Sequence, residues 1–254
     1  MTKVLALDLD GTLINEMNEI IGGQETLNLL KVLQDDGYEV VVVTGRLDHD
    51  IIHIAQKYDL NIKYRISQNG AVLQDDNSIK GRILNKKTAL KIYEYIKERN
   101  LRVELNTISN RYWHNERGAD FPREFYNSSN ILDDFTEVIY YQPVIIFLMI
   151  GDSNEINNVR RYIEENFDDV DAIKTSDKTL EIIPKGVSKG KALKEIYPNA
   201  EIISIGDSES DCSMFKYSKT SYFIGKHNLG NADFYMPSIK EVLKNIVKEN
   251  IYGE

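Results

Sequence analysis

Three short apolar runs in this 254-residue chain each end on residues able to do chemistry. Val4-Leu5-Ala6-Leu7 leads into Asp8 and, two positions on, Asp10. Val40 to Val43 ends on Thr44. Ile202 to Ile205 ends in Gly206-Asp207, with Asp211 four positions later. Nearly continuous apolar runs suit strands buried on both faces of a parallel sheet. Sheets of that kind bind ligands at the carboxyl ends of their strands. If the chain stays extended, Asp8 and Asp10 point the same way. Two facing carboxylates repel unless a cation or a proton sits between them. Asp207 and Asp211, arriving from a distant strand, could complete a cage of oxygen ligands, and all-carboxylate ligation suits Mg²⁺ rather than zinc.

Taken singly, each feature has an ordinary structural explanation. Asp8-Leu9-Asp10-Gly11 serves equally well as an Asp-Gly turn, and Asp207 to Asp211 as a capped turn. Thr44 can cap the helix that follows Gly45-Arg46, and Lys189 can be one solvated lysine among 31 basic residues.

The elements between these residues must bring them together. Leu27, Leu30 and Leu33 recur at helical spacing, with Gly37 as a C-terminal stop. Ile51, Ile52 and Ala55 mark a second helix, and Tyr64 to Ile66 a third strand. This alternation predicts a doubly wound α/β sheet. After Asn69-Gly70-Ala71 the texture changes: Gln74 to Ser78 reads as a turn between short strands, and a helix is expected over Thr88–Asn100, with Leu90, Tyr93 and Ile96 on one face. Strands follow at Leu101–Leu105, Arg111–Trp113, Val144–Ile150 and Leu180–Ile183, with a helix over Asn154–Asn166. Runs of strands with few crossovers indicate an α+β insert over residues 82–184. Pro184-Lys185-Gly186 reads as the return, Ser188 as the N-cap of a helix carrying Ala192, Leu193 and Ile196, and a final helix spans about Ser238–Lys248.

Composition bounds the class. Thirty-one basic against 40 acidic residues give a net charge of −9, a poor balance for nucleic-acid binding. One cysteine, Cys212, allows no intrachain disulfide and fits a reducing, cytoplasmic compartment; a small apolar role suits it. The start lacks a signal-peptide layout, and the longest purely apolar run, Val144–Ile150, falls far short of the ~20 residues a bilayer span needs, so no membrane partner is expected. His49, His53, His114 and His227 form no zinc-ligand pattern and read as surface or packing residues. Tyr93, Tyr95, Tyr140 and Tyr141 read as amphipathic packing residues.

Taken jointly, the motifs carry a resemblance. Asp8-Leu9-Asp10-Gly11-Thr12 resembles the first motif of the haloacid dehalogenase (HAD) superfamily, D-x-D-G-T. Val41-Val42-Val43-Thr44-Gly45-Arg46 is similar to the second, Gly186-Val187-Ser188-Lys189-Gly190 to the third, and Gly206-Asp207-Ser208-Glu209-Ser210-Asp211 to the fourth, all in the family order. The position of the insert, together with Gln68-Asn69-Gly70-Ala71, resembles the Cof-type subgroup with a C2B cap. Ser210 departs from the asparagine usual there; it keeps a hydrogen-bonding oxygen and loses an amide donor.

The resemblance implies a Rossmann-like core over 1–81 and 185–254 and a C2B-type cap over 82–184. It implies that Asp8 is a nucleophile forming an aspartyl-phosphate and Asp10 the general acid and then base. Mg²⁺ would be held by Asp8, the Asp10 backbone carbonyl and Asp207, with Asp211 acting directly or through a water. Thr44, the Gly45 N–H and Lys189 would meet the phosphoryl oxygens. An aspartate at residue 10 argues for phosphatases and phosphomutases against dehalogenases. The implied activity is hydrolysis of a small phosphorylated metabolite, a sugar phosphate foremost; a sugar phosphomutase and a catalytically silent sensor are the alternatives. Arg46 and Asn69 are candidates for substrate contact; Trp113 and Arg117 combine a stacking face with a charge, against the more ordinary readings of packing for the one and a solvated surface for the other. Oligomeric state is not legible.

Overall fold

The computed structural model describes residues 1–114, 129–225 and 231–252. In chain order the elements are β1 (Lys3–Leu7), α1 (Gly23–Asp35), β2 (Tyr38–Val43), α2 (Asp48–Tyr58), β3 (Ile62–Ser67), β4 (Val72–Gln74) and β5 (Ile79–Gly81). Next come α3 (Lys86–Ile96), β6 (Leu101–Thr107), β7 (Arg111–Trp113), β8 (Ser129–Ile131), α4 (Thr136–Tyr141), β9 (Val144–Gly151), α5 (Ser153–Asn166), β10 (Val170–Ser176) and β11 (Thr179–Pro184). The chain closes with α6 (Lys189–Ile196), β12 (Glu201–Gly206), α7 (Cys212–Phe215), β13 (Thr220–Ile224), β14 (Phe234–Met236) and α8 (Ile239–Tyr252). The chain forms two compact units, one from Met1–Ile79 with the described residues from 188 on, the other from the described residues of 80–187.

The first unit is built on a sheet whose strands, among the described residues, run β14-β13-β12-β1-β2-β3-β4-β5. β1 lies between β12 and β2, parallel to both, so Leu7 sits level with Ile205 and Val42. Side chains alternate across the sheet. Leu5, Leu7, Val40 and Val42 pack with Leu30 and Leu33 of α1, Ile51 of α2 and Leu243 of α8. Val4, Ala6, Val41 and Val43 pack on the other face with Ala192 and Leu193 of α6 and Met214 of α7. Both faces are therefore covered, which is why these strands read as continuous apolar runs rather than alternating ones.

In the second unit a mostly antiparallel sheet, β10-β11-β9-β6-β7-β8 among the described residues, packs against α3, α4 and α5 through Ile92, Phe135, Phe147, Ile156 and their neighbours. Here the sequence expectation needs correction. α3 begins at Lys86, because the Asn85 side chain accepts from Lys87 N and Thr88 N, and it ends at Ile96 rather than Asn100. Its buried face is Ala89, Ile92, Tyr93 and Ile96, with Leu90 only partly covered. Tyr95 stacks on Tyr162 at 3.5 Å, whereas Tyr140 and Tyr141 are exposed rather than packed. His114 packs on Phe135 with ring centroids 4.3 Å apart, and Cys212 is partly buried against the core. His227 and Arg117 lie outside the described residues. No helix among the described residues is long and apolar enough to cross a membrane.

Adjacent residues of α1 test the packing. Leu33 is fully buried and Val32 is 41% exposed. Leu33→Ala should lower unfolding stability by about 2–5 kcal/mol. Val32→Ala should stay within about 0.5 kcal/mol in the same urea titration.

His114 supplies a pH test. Burial holds its imidazole below the ordinary value of 6.5. The unfolded chain therefore takes up this proton first, and stability present above 6.5 is lost as pH falls through the folded value. The urea midpoint of the wild type should drop between neutral pH and pH 5, and His114→Phe should flatten that part of the drop.

Candidate active site

Asp8 follows β1, and its N–H donates to the Ile205 carbonyl at 3.0 Å, so its backbone still continues the sheet. The turn beyond it depends on Gly11. Its φ is +74°, and a Cβ built there would lie 2.2 Å from Asp207 Oδ2. An L side chain is thus excluded both by backbone conformation and by space. Thr12 Oγ1 donates to Asp207 Oδ1 at 3.0 Å and ties this turn to the end of β12.

Asp211 is fully buried and binds on two sides. Its Oδ2 accepts from Asp207 N (3.2 Å), Ser208 N (2.9 Å) and Ser208 Oγ (2.6 Å), which folds the loop after β12 into a capped turn. Gly206 makes room for it, because a Cβ there would stand 2.3 Å from Asp211 Cβ. Ser210 Oγ lies 2.9 Å from Ser208 Oγ, so the serine at this departing position extends the same hydrogen-bonded turn.

Lys189 opens α6, whose N-cap Ser188 accepts from Lys191 N. Its buried Nζ donates at 2.7 Å both to Asp8 Oδ1 and to Asp211 Oδ1. Burial alone would weaken the ammonium, but the charges of Asp8 and Asp211 outweigh it and hold Lys189 well above the usual lysine range. Asp8 is also pushed well above the carboxylate range, by burial first and by Asp211 next, against the pull of Lys189. Burial and Asp211 raise Asp207 too, opposed by the Thr12 hydrogen bond. One cation serves too many acids. Oxygens of Asp8, Asp207 and Asp211 lie within 4.8 Å of one another. With all three carboxyls ionised, one ammonium leaves two negative charges unbalanced. An all-oxygen set with that residual charge fits a hard divalent cation.

Asp10 stands apart from this cluster. Its side chain is 43% exposed and is clasped by Arg46, whose Nε donates to Oδ2 at 2.8 Å while Nη2 donates to Oδ1. Thr44, almost fully buried, accepts Arg46 N on its Oγ1 at 3.2 Å and keeps its own O–H as a donor for an anion. The Thr44-Gly45-Arg46 turn docks on the next loop, where Asn69 N donates to the Thr44 carbonyl and Gln68 N to the Arg46 carbonyl. Asn69 sits against Gly45, with its Oδ1 3.1 Å from where a Cβ would be. Asp8, Thr44, Lys189, Asp207 and Asp211 are thus gathered at the carboxyl end of the parallel strands, with Asp10, Gly45 and Asn69 beside them. Trp113 belongs to the second unit, where the Arg102 guanidinium lies over its ring at 5.1 Å. Sequence reasoning did not single out Thr12, Asn18 or Asp50. Thr12 closes the Asp8–Thr12 motif, and Asp50 stands four residues from Arg46 at the start of α2.

The family described as haloacid dehalogenase-like hydrolase matches residues 5–250. The chain is 30% identical to phosphatase YwpJ of Bacillus subtilis, over 84% of this chain and 86% of that protein. A solved haloacid dehalogenase-like hydrolase from Bacteroides thetaiotaomicron superposes with a TM-score of 0.81 at 22% identity, covering 97% of this chain and all of that one. A structure named as the HAD subclass IIB sugar phosphatase BT4131 gives 0.77 at 20% identity, covering 98% and 100%.

Lys189→Met removes the one ammonium shared by Asp8 and Asp211. Breaking a buried pair on one side costs about 3–5 kcal/mol, so the melting temperature in chelator should fall well below wild type. A saturating divalent cation should then raise it by more than it raises wild type, as calorimetry would record.

Proposed function

The chain belongs to the haloacid dehalogenase-like hydrolases and is a phosphatase; from that premise we propose that it cleaves a small phosphorylated metabolite, sugar phosphates foremost, with the aid of Mg²⁺. The observation that carries the reading is the separation of two aspartates two positions apart: Asp8 buried among carboxylates and a lysine, Asp10 half-exposed on an arginine. Two acids in such different surroundings suit two different tasks.

Asp8 would attack phosphorus, forming a P–O bond as the ester P–O bond breaks, and Asp10 would give its proton to the departing alkoxide. Asp10, now a carboxylate, would take a proton from water as that water attacks phosphorus and displaces Asp8. The products are the alcohol and inorganic phosphate, and both carboxyls return to their starting states. Thr44 O–H, the Gly45 N–H and the Lys189 ammonium would hold the phosphoryl oxygens, where transition-state charge collects. Asp8, Asp207 and Asp211, with the Asp10 backbone carbonyl, would hold Mg²⁺. The ion supplies charge neutralisation between an anionic nucleophile and an anionic ester. In this reading residues 82–184 are a C2B-type cap that chooses the leaving group, because the core groups meet only the phosphoryl part that every substrate shares. A sugar phosphatase among the structural neighbours supports that substrate class.

Asp8→Asn should abolish phosphate release from a sugar-phosphate panel, with deamidation excluded by mass. Asp10→Asn should slow release by roughly 10²–10⁴. Near-wild-type turnover by purified Asp8→Asn would falsify the assignment.

Metal removal is a separate test. Excess chelator should stop phosphate release and Mg²⁺ restore it. Ca²⁺ should inhibit, since it accepts more ligands and both oxygens of one carboxylate. Full activity in chelator would remove the metal from the scheme.

A further inference from the structure

Arg46 stood among the candidates for substrate contact; its surroundings point elsewhere. The side chain is 8% exposed and its donors face inward. Nε and Nη2 form a fork on the two oxygens of Asp10. Nη2 also donates to Asn18 Oδ1 at 2.8 Å, and Nη1 to Asp50 Oδ2 at 3.2 Å. Asp50 is fully buried in the first turn of α2. Asn18 sits at φ +60° in a loop tightened by Asn15, whose Oδ1 accepts from Met17 N and Glu19 N at 3.0 Å each. The guanidinium is therefore gripped by a helix and by a hydrogen-bonded loop, and its planar fork fixes both the place and the plane of the Asp10 carboxyl.

We propose that Arg46, anchored by Asp50 and Asn18, is a positioning residue that holds the Asp10 carboxyl out of the metal-binding cluster and presents it to the leaving-group oxygen. The proposal rests on the reading of Asp10 as acid and base. Oxygens of Asp8, Asp207 and Asp211 come within 4.8 Å of each other, yet the Asp10 carboxyl, only two residues from Asp8, is not among them. A carboxyl caught by a divalent cation would be a poor proton carrier; one held on a guanidinium stays available.

The role predicts which substrates suffer. Proton donation matters for an alkyl leaving group and little for a p-nitrophenolate, which departs unprotonated. The test compares glucose 6-phosphate or another alkyl ester that the wild type hydrolyses with p-nitrophenyl phosphate, in wild type, Arg46→Ala, Arg46→Lys, Asp50→Asn and Asp10→Asn. Because Asp10 as base serves the second step of both esters alike, the comparison is made on the first step: Arg46→Ala should lower the single-turnover rate of alcohol release from the alkyl ester by about 10²-fold and of p-nitrophenolate release by less than about fivefold, with KM nearly unchanged, following the selectivity of Asp10→Asn. Added guanidinium ion should restore part of the alkyl-ester rate. Asp50→Asn, which leaves Arg46 in place but loosens it, should show a smaller loss of the same kind, so the proposal stays testable if Arg46→Ala folds poorly. Equal losses on both esters in that first step, or a raised KM with the rates intact, would overturn the positioning role; the second result would make Arg46 a substrate contact. If Asp10→Asn itself shows no leaving-group selectivity, or Asp8→Asn stays active, the catalytic reading fails first and this proposal fails with it.

Discussion

The site depends on one buried ammonium. Lys189 reaches Asp8 and Asp211 at 2.7 Å each, and without it their carboxylates would face one another in a region closed to water. Everything around them serves that meeting. The parallel register of β12, β1 and β2 brings Asp207, Asp8 and Thr44 to one edge of the sheet. Gly11 and Gly206 give up side chains so that Asp207 and Asp211 can close in. Ser188 starts α6 where its first residue points into the carboxylates. Even so the neutralisation is incomplete, which is why Asp8 and Asp207 are pushed above the carboxylate range while Lys189 is held above the lysine range. Burial of unbalanced charge normally costs stability. Here the imbalance is what would draw a cation to the cluster.

A second cation performs the opposite service. Arg46 binds Asp10 where it is still accessible, beside the cluster and not inside it. Lys189 is a compact point charge able to bridge two separate carboxylates, and Arg46 a planar fork able to orient one. Neither would replace the other. Two carboxyls separated by a single residue in sequence thereby acquire different surroundings, because each is met by a different cation from a different part of the chain.

That division also explains what could be read from the sequence. Asp8, Thr44, Lys189 and Asp207 were legible because each lies at the end of a strand or the start of a helix whose apolar pattern is strong. The clasp of Arg46 on Asp10 was not legible. Its partners are 36 residues apart, and nothing in the run after Thr44 says whether the guanidinium turns inward or toward solvent. Asp50 is equally silent, since an acidic residue in the first turn of a helix is ordinary dipole compensation. In the second unit α3 was placed late because the Asn85 cap lies outside the apolar repeat. β10 was missed because its outer, half-exposed residues carry almost no apolar alternation.

The candidate site and the insert are separable along the chain. Asp8, Asp10, Thr44, Lys189, Asp207 and Asp211 all belong to the first unit. The insert follows β5 in the chain, and the pairing of β1 with β2 and β12 involves none of its residues. Its own core is likewise self-contained, formed by α3, α4 and α5 against one face of a separate sheet. A fold arranged this way lets selection vary the second unit while the geometry around Lys189 stays fixed. The sequence is most explicit about the candidate site for the same reason: its residues are tied to strand ends, whereas residues that would distinguish one leaving group from another answer to no such pattern.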